Sequence, residues 1–223
     1  MTEADRQAPK AAESITAFTL AMNYLPFIYL VAGGAIVVSV DGAGARIVMT
    51  LAWIYLVPVA VGRIAMILFG RPGGRGLTQR SQAYKVWWFL TQMQMLFNRL
   101  PVLEELLRLV PGLYALWLNA WGSRVSLFSF WAPGSRVMDR YLVTVERGVV
   151  IGTGAVLTGH LGTVSGDGVY LNDIAPVTVC EGTILGASAK LGPGSRVAPG
   201  EQLPAGRILP PFVTWENRRK NRE

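Results

Sequence analysis

Apolar residues return at every sixth position along residues 179–207. Val179, Leu185, Leu191, Val197 and Leu203 open five successive blocks, VCEGTI, LGASAK, LGPGSR, VAPGEQ and LPAGRI. The fourth place of each block holds Gly182, Ser188, Gly194, Gly200 or Gly206, and the fifth place of the first three holds Thr183, Ala189 and Ser195. A helix with 3.6 residues per turn would scatter these aliphatics around its circumference, and a single long strand would turn every second residue inward. A fixed short period marks a solenoid, and hexads mark a parallel β-helix. Each block then supplies one flat side with its aliphatic inward and one corner where glycine relieves the strain of a side chain.

The same spacing runs upstream. Val125, Trp131, Val137 and Val143 hold one phase; it slips by two, and Val145, Ile151, Leu157 and Thr163 continue. Between Thr163 and Val179 the register breaks over VSGDGVYLNDIAP, read here as a loop thrown out from a corner and carrying Asp167, Asn172 and Asp173. Residues 125–208 therefore make between four and five coils. The chain is expected to leave the coil at Pro210–Pro211 and end in a basic tail, 209–223.

The N-terminal half follows another pattern. After a polar lead, 1–14, residues 14–40 carry no charge, and 47–69 form a second apolar run interrupted by Pro58 and Arg63. A bilayer core needs roughly 20 helical residues, so 15–70 reads as two transmembrane helices, kinked at Pro26 and joined by the turn DGAGAR. No leader with a small-residue cleavage site is expected. The sequence leaves two readings of Arg63: a side chain snorkelling to the headgroups, or one holding an anionic substrate group.

Residues 71–124 form a basic juxtamembrane segment and short helices. The stretch 71–85 has four basic residues and no acid, which places it in the cytoplasm and both termini with it, as a multi-pass protein of the inner (cytoplasmic) membrane. Val86, Phe89, Leu90, Met93, Phe97 and Leu100 make a helical stripe too short to cross. Trp87, Trp88, Trp117, Trp121 and Trp131 cluster there, so the helices are expected in the plane of the membrane, the alternative being a cap on the open end of the coil.

Composition changes this picture little. Hydrophobic content of 51% is high for a soluble domain, and the charge of +7 sits beside apolar segments, which favours a lipid surface over nucleic acid. Cys180, the one cysteine, follows a core valine and is read as structural. No GxxxxGK[ST] or GxSxG motif occurs, and one histidine cannot build the zinc sites of a carbonic anhydrase on this fold, so no metal is expected.

The blocks IGTGAV, LGASAK and LGPGSR resemble the hexapeptide-repeat acyltransferases over about residues 125–208. The resemblance implies a left-handed parallel β-helix, so the expected fold is an N-terminal transmembrane helical hairpin and interfacial helices followed by an all-β solenoid. A fainter resemblance is to the membrane-embedded C-terminal region of nonribosomal peptide and homopoly-amino-acid synthetases, where membrane helices alternate with hexapeptide segments, a histidine follows the first hexads and a phrase like GEQLPAG closes the coil. That pattern has acidic residues just after the histidine; here Leu161, Gly162 and Thr163 stand instead.

His160 holds the corner place of LTGHLG, where it should be displayed rather than buried. The family resemblance implies a general base toward a hydroxyl or amine acceptor, a role imidazole suits because it titrates near neutrality. The bland reading is an incidental surface histidine. Asp167, Asn172 and Asp173 either orient it or bind the acceptor, or are turn residues. The expected activity is acyl transfer from an acyl-CoA or acyl-carrier protein thioester to a membrane-associated acceptor, with no tightly bound cofactor. Partners are then membrane lipids, donor and acceptor, and no nucleic acid; the family's trimers leave a homo-oligomer open. The alternative is a non-catalytic membrane scaffold or partner-binding β-helix, an accessory unit of peptide or polymer synthesis.

Overall fold

Strands of two to four residues return in rotation to three sheets. The first takes Arg124–Val125, Val143–Val145, Val177–Val179, Arg196–Val197 and Val213–Glu216. The second takes Phe130–Trp131, Val150–Ile151, Ile184–Leu185 and Gln202–Leu203, and the third Arg136–Val137, Val156–Leu157, Lys190–Leu191 and Ile208–Leu209. Neighbours in each stack pair in parallel, with Val125, Val145, Val179, Val197 and Trp215 in one column. The computed structural model describes residues 15–166, 168–217 and 219–222, the last four by backbone alone.

The hexads dictate this coil. Val145, Ile151, Leu157, Val179, Leu185, Leu191, Val197 and Leu203 are no more than 1% exposed. Each such aliphatic contributes roughly 1.5–3 kcal/mol of burial, so a single column supplies a continuous core. The small fifth-place residues Thr183, Ala189 and Ser195 are equally buried, filling the space beside the corners. At the corners Gly182 has φ +68° and lies in line with Gly148 at +71°, while Ser188 takes φ +57° as a non-glycine in the same role. The coil runs past 208: Leu209 is buried, and Val213–Glu216 adds a further side before turning back on Arg219–Arg222 as an antiparallel pair.

Two interruptions matter. Val137 and Val145 are eight residues apart, so residues 138–142 form a bridge longer than a corner. After Leu157 the chain leaves the coil altogether and returns at Val177. The excursion is no irregular loop. His160–Val164 and Tyr170–Ile174 form an antiparallel hairpin, and Gly74–Leu77, from the basic juxtamembrane segment, adds a third strand to its edge. Thr163 does not continue the coil as its spacing implies; it is exposed on the hairpin.

The helices are α1 (Ala17–Met22), α2 (Leu25–Ser39), α3 (Ala43–Tyr55), α4 (Val57–Phe69), α5 (Gln82–Met93), α6 (Met95–Arg99), α7 (Val102–Arg108) and α8 (Leu113–Trp121). Pro26 and Pro58 lie in the first turns of α2 and α4, where the missing N–H costs nothing, and so break each apolar run into two pieces. Ala17–Ser39 and Ala43–Phe69 are long and apolar enough to cross a membrane. Helices α5 to α8 fold over the first turn of the coil and against the apolar hairpin: Trp117 Nε1 donates to the Tyr55 carbonyl (3.0 Å), and the Tyr55 hydroxyl to that of Leu103 (2.8 Å).

This packing takes three of the five tryptophans inward, as the capping alternative has it. Trp87, Trp117 and Trp121 are at most 6% exposed, and the stripe of Val86, Leu90, Met93 and Phe97 faces the same core. Leu100, the end of the predicted stripe, is left outside with Val102, Leu106, Leu109, Val110, Leu113 and Leu116. Tryptophan suits an interior as well as a headgroup level when its N–H finds a partner; the carbonyls of Thr19 and Tyr55 and the Asp139 carboxylate serve Trp88, Trp117 and Trp87, while Trp121 Nε1 has none among the described residues.

Candidate functional site

The bridge at 138–142 sends consecutive side chains in opposite directions. Arg140 turns to the helices, where Nε meets Glu104 Oε1 at 2.6 Å, Nη2 meets the same oxygen, and Nη1 meets Asn98 Oδ1 at 2.9 Å. Asp139 turns to the hairpin. Its carboxylate is 1% exposed and accepts three hydrogen bonds: Trp87 Nε1 at 3.2 Å on Oδ1, and Gly159 N–H at 2.8 Å and His160 Nδ1 at 2.7 Å on Oδ2. Gly159 is required for this approach, because a β-carbon there would meet the Leu142 side chain at 2.8 Å.

His160 is therefore not displayed at a coil corner. It starts the first hairpin strand, with its side chain 28% exposed and its ring tilted against Trp87 at 4.9 Å between centroids. Burial by itself would lower its pKa, but the Asp139 charge and hydrogen bond outweigh that, so the imidazole titrates above its ordinary 6.5. With Nδ1 engaged by a carboxylate, the neutral ring carries its lone pair on Nε2. A histidine oriented through one nitrogen and open at the other is the arrangement a general base needs.

The remaining candidates divide. Asn172 is fully buried on the second hairpin strand, and neither atom of its carboxamide has a hydrogen-bond partner among the described residues. Asp173, next to it, points the other way and accepts from the Gly76 N–H at 2.8 Å, which fastens the third strand. Neither is a turn residue. Asp167 lies outside the described residues. Arg63 is exposed on α4 against Gly122, where a β-carbon would come within 2.5 Å of its Nη1. It belongs to a basic cluster, close enough with Arg124 to repel the Arg71 charge, and the contacts of His160 do not include it. Cys180 is buried and free within the coil. No group of three or more His, Cys, Asp or Glu able to hold a metal ion occurs among the described residues.

Sequence reasoning missed Asp139, Trp87 and Gly159. Asp139 is far from His160 in sequence, on the preceding turn, whereas the resemblance directs attention to residues after the histidine. The hexad spacing puts the two-residue slip between Val143 and Val145, whereas the structure puts the spare chain at 138–142, around Asp139.

No protein-family model and no curated protein matches the chain. Among solved structures, serine acetyltransferase isoform 3 from Entamoeba histolytica, in complex with cysteine, aligns over 94% of this chain and 86% of its own at 11% identity and a TM-score of 0.22. A likeness of that TM-score carries no argument for fold or activity.

Proposed function

We propose that the protein is a membrane-anchored acyltransferase with His160 as general base and Asp139 as its positioning residue. The observation that carries this is the 2.7 Å contact between His160 Nδ1 and the buried Asp139 carboxylate on a hexad coil. The resemblance of the hexads to acyltransferases supplies the reaction class, with the left hand of the coil. In the reaction, Nε2 takes the proton of an acceptor hydroxyl or amine as that oxygen or nitrogen attacks the thioester carbonyl carbon. The C–S bond then breaks, and the departing thiolate takes the proton back from the imidazolium and leaves as coenzyme A or carrier thiol. Asp139 holds Nδ1 and steadies the imidazolium that forms.

The membrane reading belongs with this. The two apolar segments Ala17–Ser39 and Ala43–Phe69 would cross the bilayer, with the basic segment 71–85 and the coil on the cytoplasmic side. The outward face of α7 and α8 would sit in the interface through Val102, Leu106, Leu109, Val110, Leu113 and Leu116, and Arg63, Arg71 and Arg124 at headgroup level. Helix α5 ties the layers together. Trp87 holds Asp139 on one side, and on the other Val86 and Phe89 line an apolar cavity of ≈ 280 Å³ with Phe18, Ala65 and Phe69.

A second reading has its own observation. The three bonds to Asp139 join α5, the coil and the hairpin, which is what a fastening in a non-catalytic scaffold would also do. The two are separated by thiol release from a panel of acyl-CoA thioesters, using full-length protein in nanodiscs with a membrane extract as acceptor. The acyltransferase reading expects turnover that falls about 10²–10⁴-fold in His160→Ala with the fold intact. Absence of thiol release, or turnover equal in both proteins, leaves the scaffold.

A further inference from the structure

The hairpin pairing sets what stands beside His160. His160 lies opposite Ile174, and Gly162 opposite Asn172, so His160, Asn172 and Tyr170 share one face of the sheet. Asn172 is the diagonal neighbour of His160, at about 7 Å between β-carbons by ordinary sheet geometry. The face is roofed by aromatic rings. Trp87 lies against His160, Tyr84 lies 5.3 Å from Trp87, and the Tyr170 hydroxyl covers Gly162, where a β-carbon would be only 2.3 Å from it. On this face Asn172 is 0% exposed, with neither Oδ1 nor Nδ2 partnered among the described residues, while Asp173 on the opposite face accepts from the Gly76 N–H.

A buried carboxamide with no partner is costly, and apolar residues of the same size satisfy a strand interior better. Its position explains why it is there. We infer that Asn172 is a ligand-binding residue of the His160 site, its Nδ2–H donating to the carbonyl oxygen of the acyl thioester. This rests on the acyl-transfer reading above. With a nucleophile within hydrogen-bond reach of Nε2 and in contact with the carbonyl carbon, the carbonyl oxygen lies a further bond away, a span that about 7 Å between the two β-carbons accommodates. The negative charge that gathers on that oxygen during attack then meets a donor held in place beforehand. Gly162 carries no side chain on this face, so the Tyr170 hydroxyl is the group that a thioester placed there would displace.

The test uses Asn172→Leu and Asn172→Val in the full-length protein in nanodiscs, two apolar shapes so that at least one fits. Thermal unfolding and single-turnover thiol release from acetyl-CoA and longer acyl-CoA thioesters are measured side by side. The inference expects at least one variant to melt higher, by about 2–4 °C, because an unsatisfied group is gone. The same variant should lose about 10–1000-fold in the chemical step, with the His160 resonance titrating as in the parent. If both variants melt lower and transfer at the parent rate, Asn172 is a framework residue and the inference is overturned. If the parent releases no thiol from any donor, the acyl-transfer reading fails, and the carbonyl assignment with it. The melting comparison then still decides whether Asn172 is a ligand group of other chemistry: a rise upholds that part, and a fall removes it.

Discussion

Asp139 and Arg140 are chain neighbours in the bridge between the first two turns, both at most 2% exposed, and each anchors a polar cluster. Each guanidinium nitrogen of Arg140 has a partner. Glu104 takes two of its N–H groups, Asn98 takes another, and Glu104 is further engaged by Arg108 (3.2 Å) and the Tyr114 hydroxyl (2.6 Å). Around Asp139 the carboxylate accepts from three donors, and the ring bonds of His160 to described residues are at Nδ1, none at Nε2. A cluster whose central charge is paired joins the helical layer to the coil. One that ends in an imidazole bonded only at Nδ1, beside an Asn172 carboxamide without a partner among the described residues, has the form of a site. Both depend on the same two extra residues, since a strict hexad would have put a corner glycine where this bridge runs.

The largest expected effect falls on the Arg140 cluster. Glu104→Ala leaves the Arg140 charge buried without its carboxylate, and denaturant unfolding in detergent should show a loss of about 3–5 kcal/mol. Replacing both partners, Arg140→Met with Glu104→Met, should recover most of that, since no charge is then stranded. Equal losses in the single and double variants would mean the cluster acts through shape and not charge.

On the other cluster, Asp139→Asn should act on the proton more than on the fold. The charge that raises His160 is removed while burial persists, so the single histidine resonance should titrate at lower pH than in the parent. An unchanged midpoint would detach Asp139 from the imidazole in solution. A smaller effect concerns stability. The folded pKa of His160 is above the unfolded 6.5, so the protonated ring favours the folded state fully below pH 6.5 and loses that advantage as pH rises through the folded value. Relative to His160→Gln, the parent should melt higher at mildly acidic pH, and the difference should fade in alkali. A gap that widens with pH would reverse the assignment.

Much of the coil was legible because its rule is local and repeated. Val179 to Leu203 name their own places, and the corner glycines follow. The hairpin was not, because Gly162 breaks the alternation of one strand and the edge strand Gly74–Leu77 comes from a segment whose positive charge points to lipid instead. Trp87 and Trp121 read as membrane-seeking because the same ring suits an interface and a core; only the packing of α5 and α8 on the coil decides between them. His160 stood out as the single histidine. Its partner did not, since Asp139 and His160 meet only when two turns of the coil stack.

Single-turnover acyl transfer measured from about pH 5.5 to about pH 9, in the parent, His160→Gln and Asp139→Asn, tests His160 as the base most directly. A base that must be neutral to act gives a rate that rises with pH through the raised pKa of His160 and then levels. Asp139→Asn should keep that shape with its midpoint moved to lower pH and its plateau reduced, and His160→Gln should lose the pH-dependent limb together with about 10²–10⁴-fold of the plateau rate. A parent-like profile in His160→Gln would contradict the account.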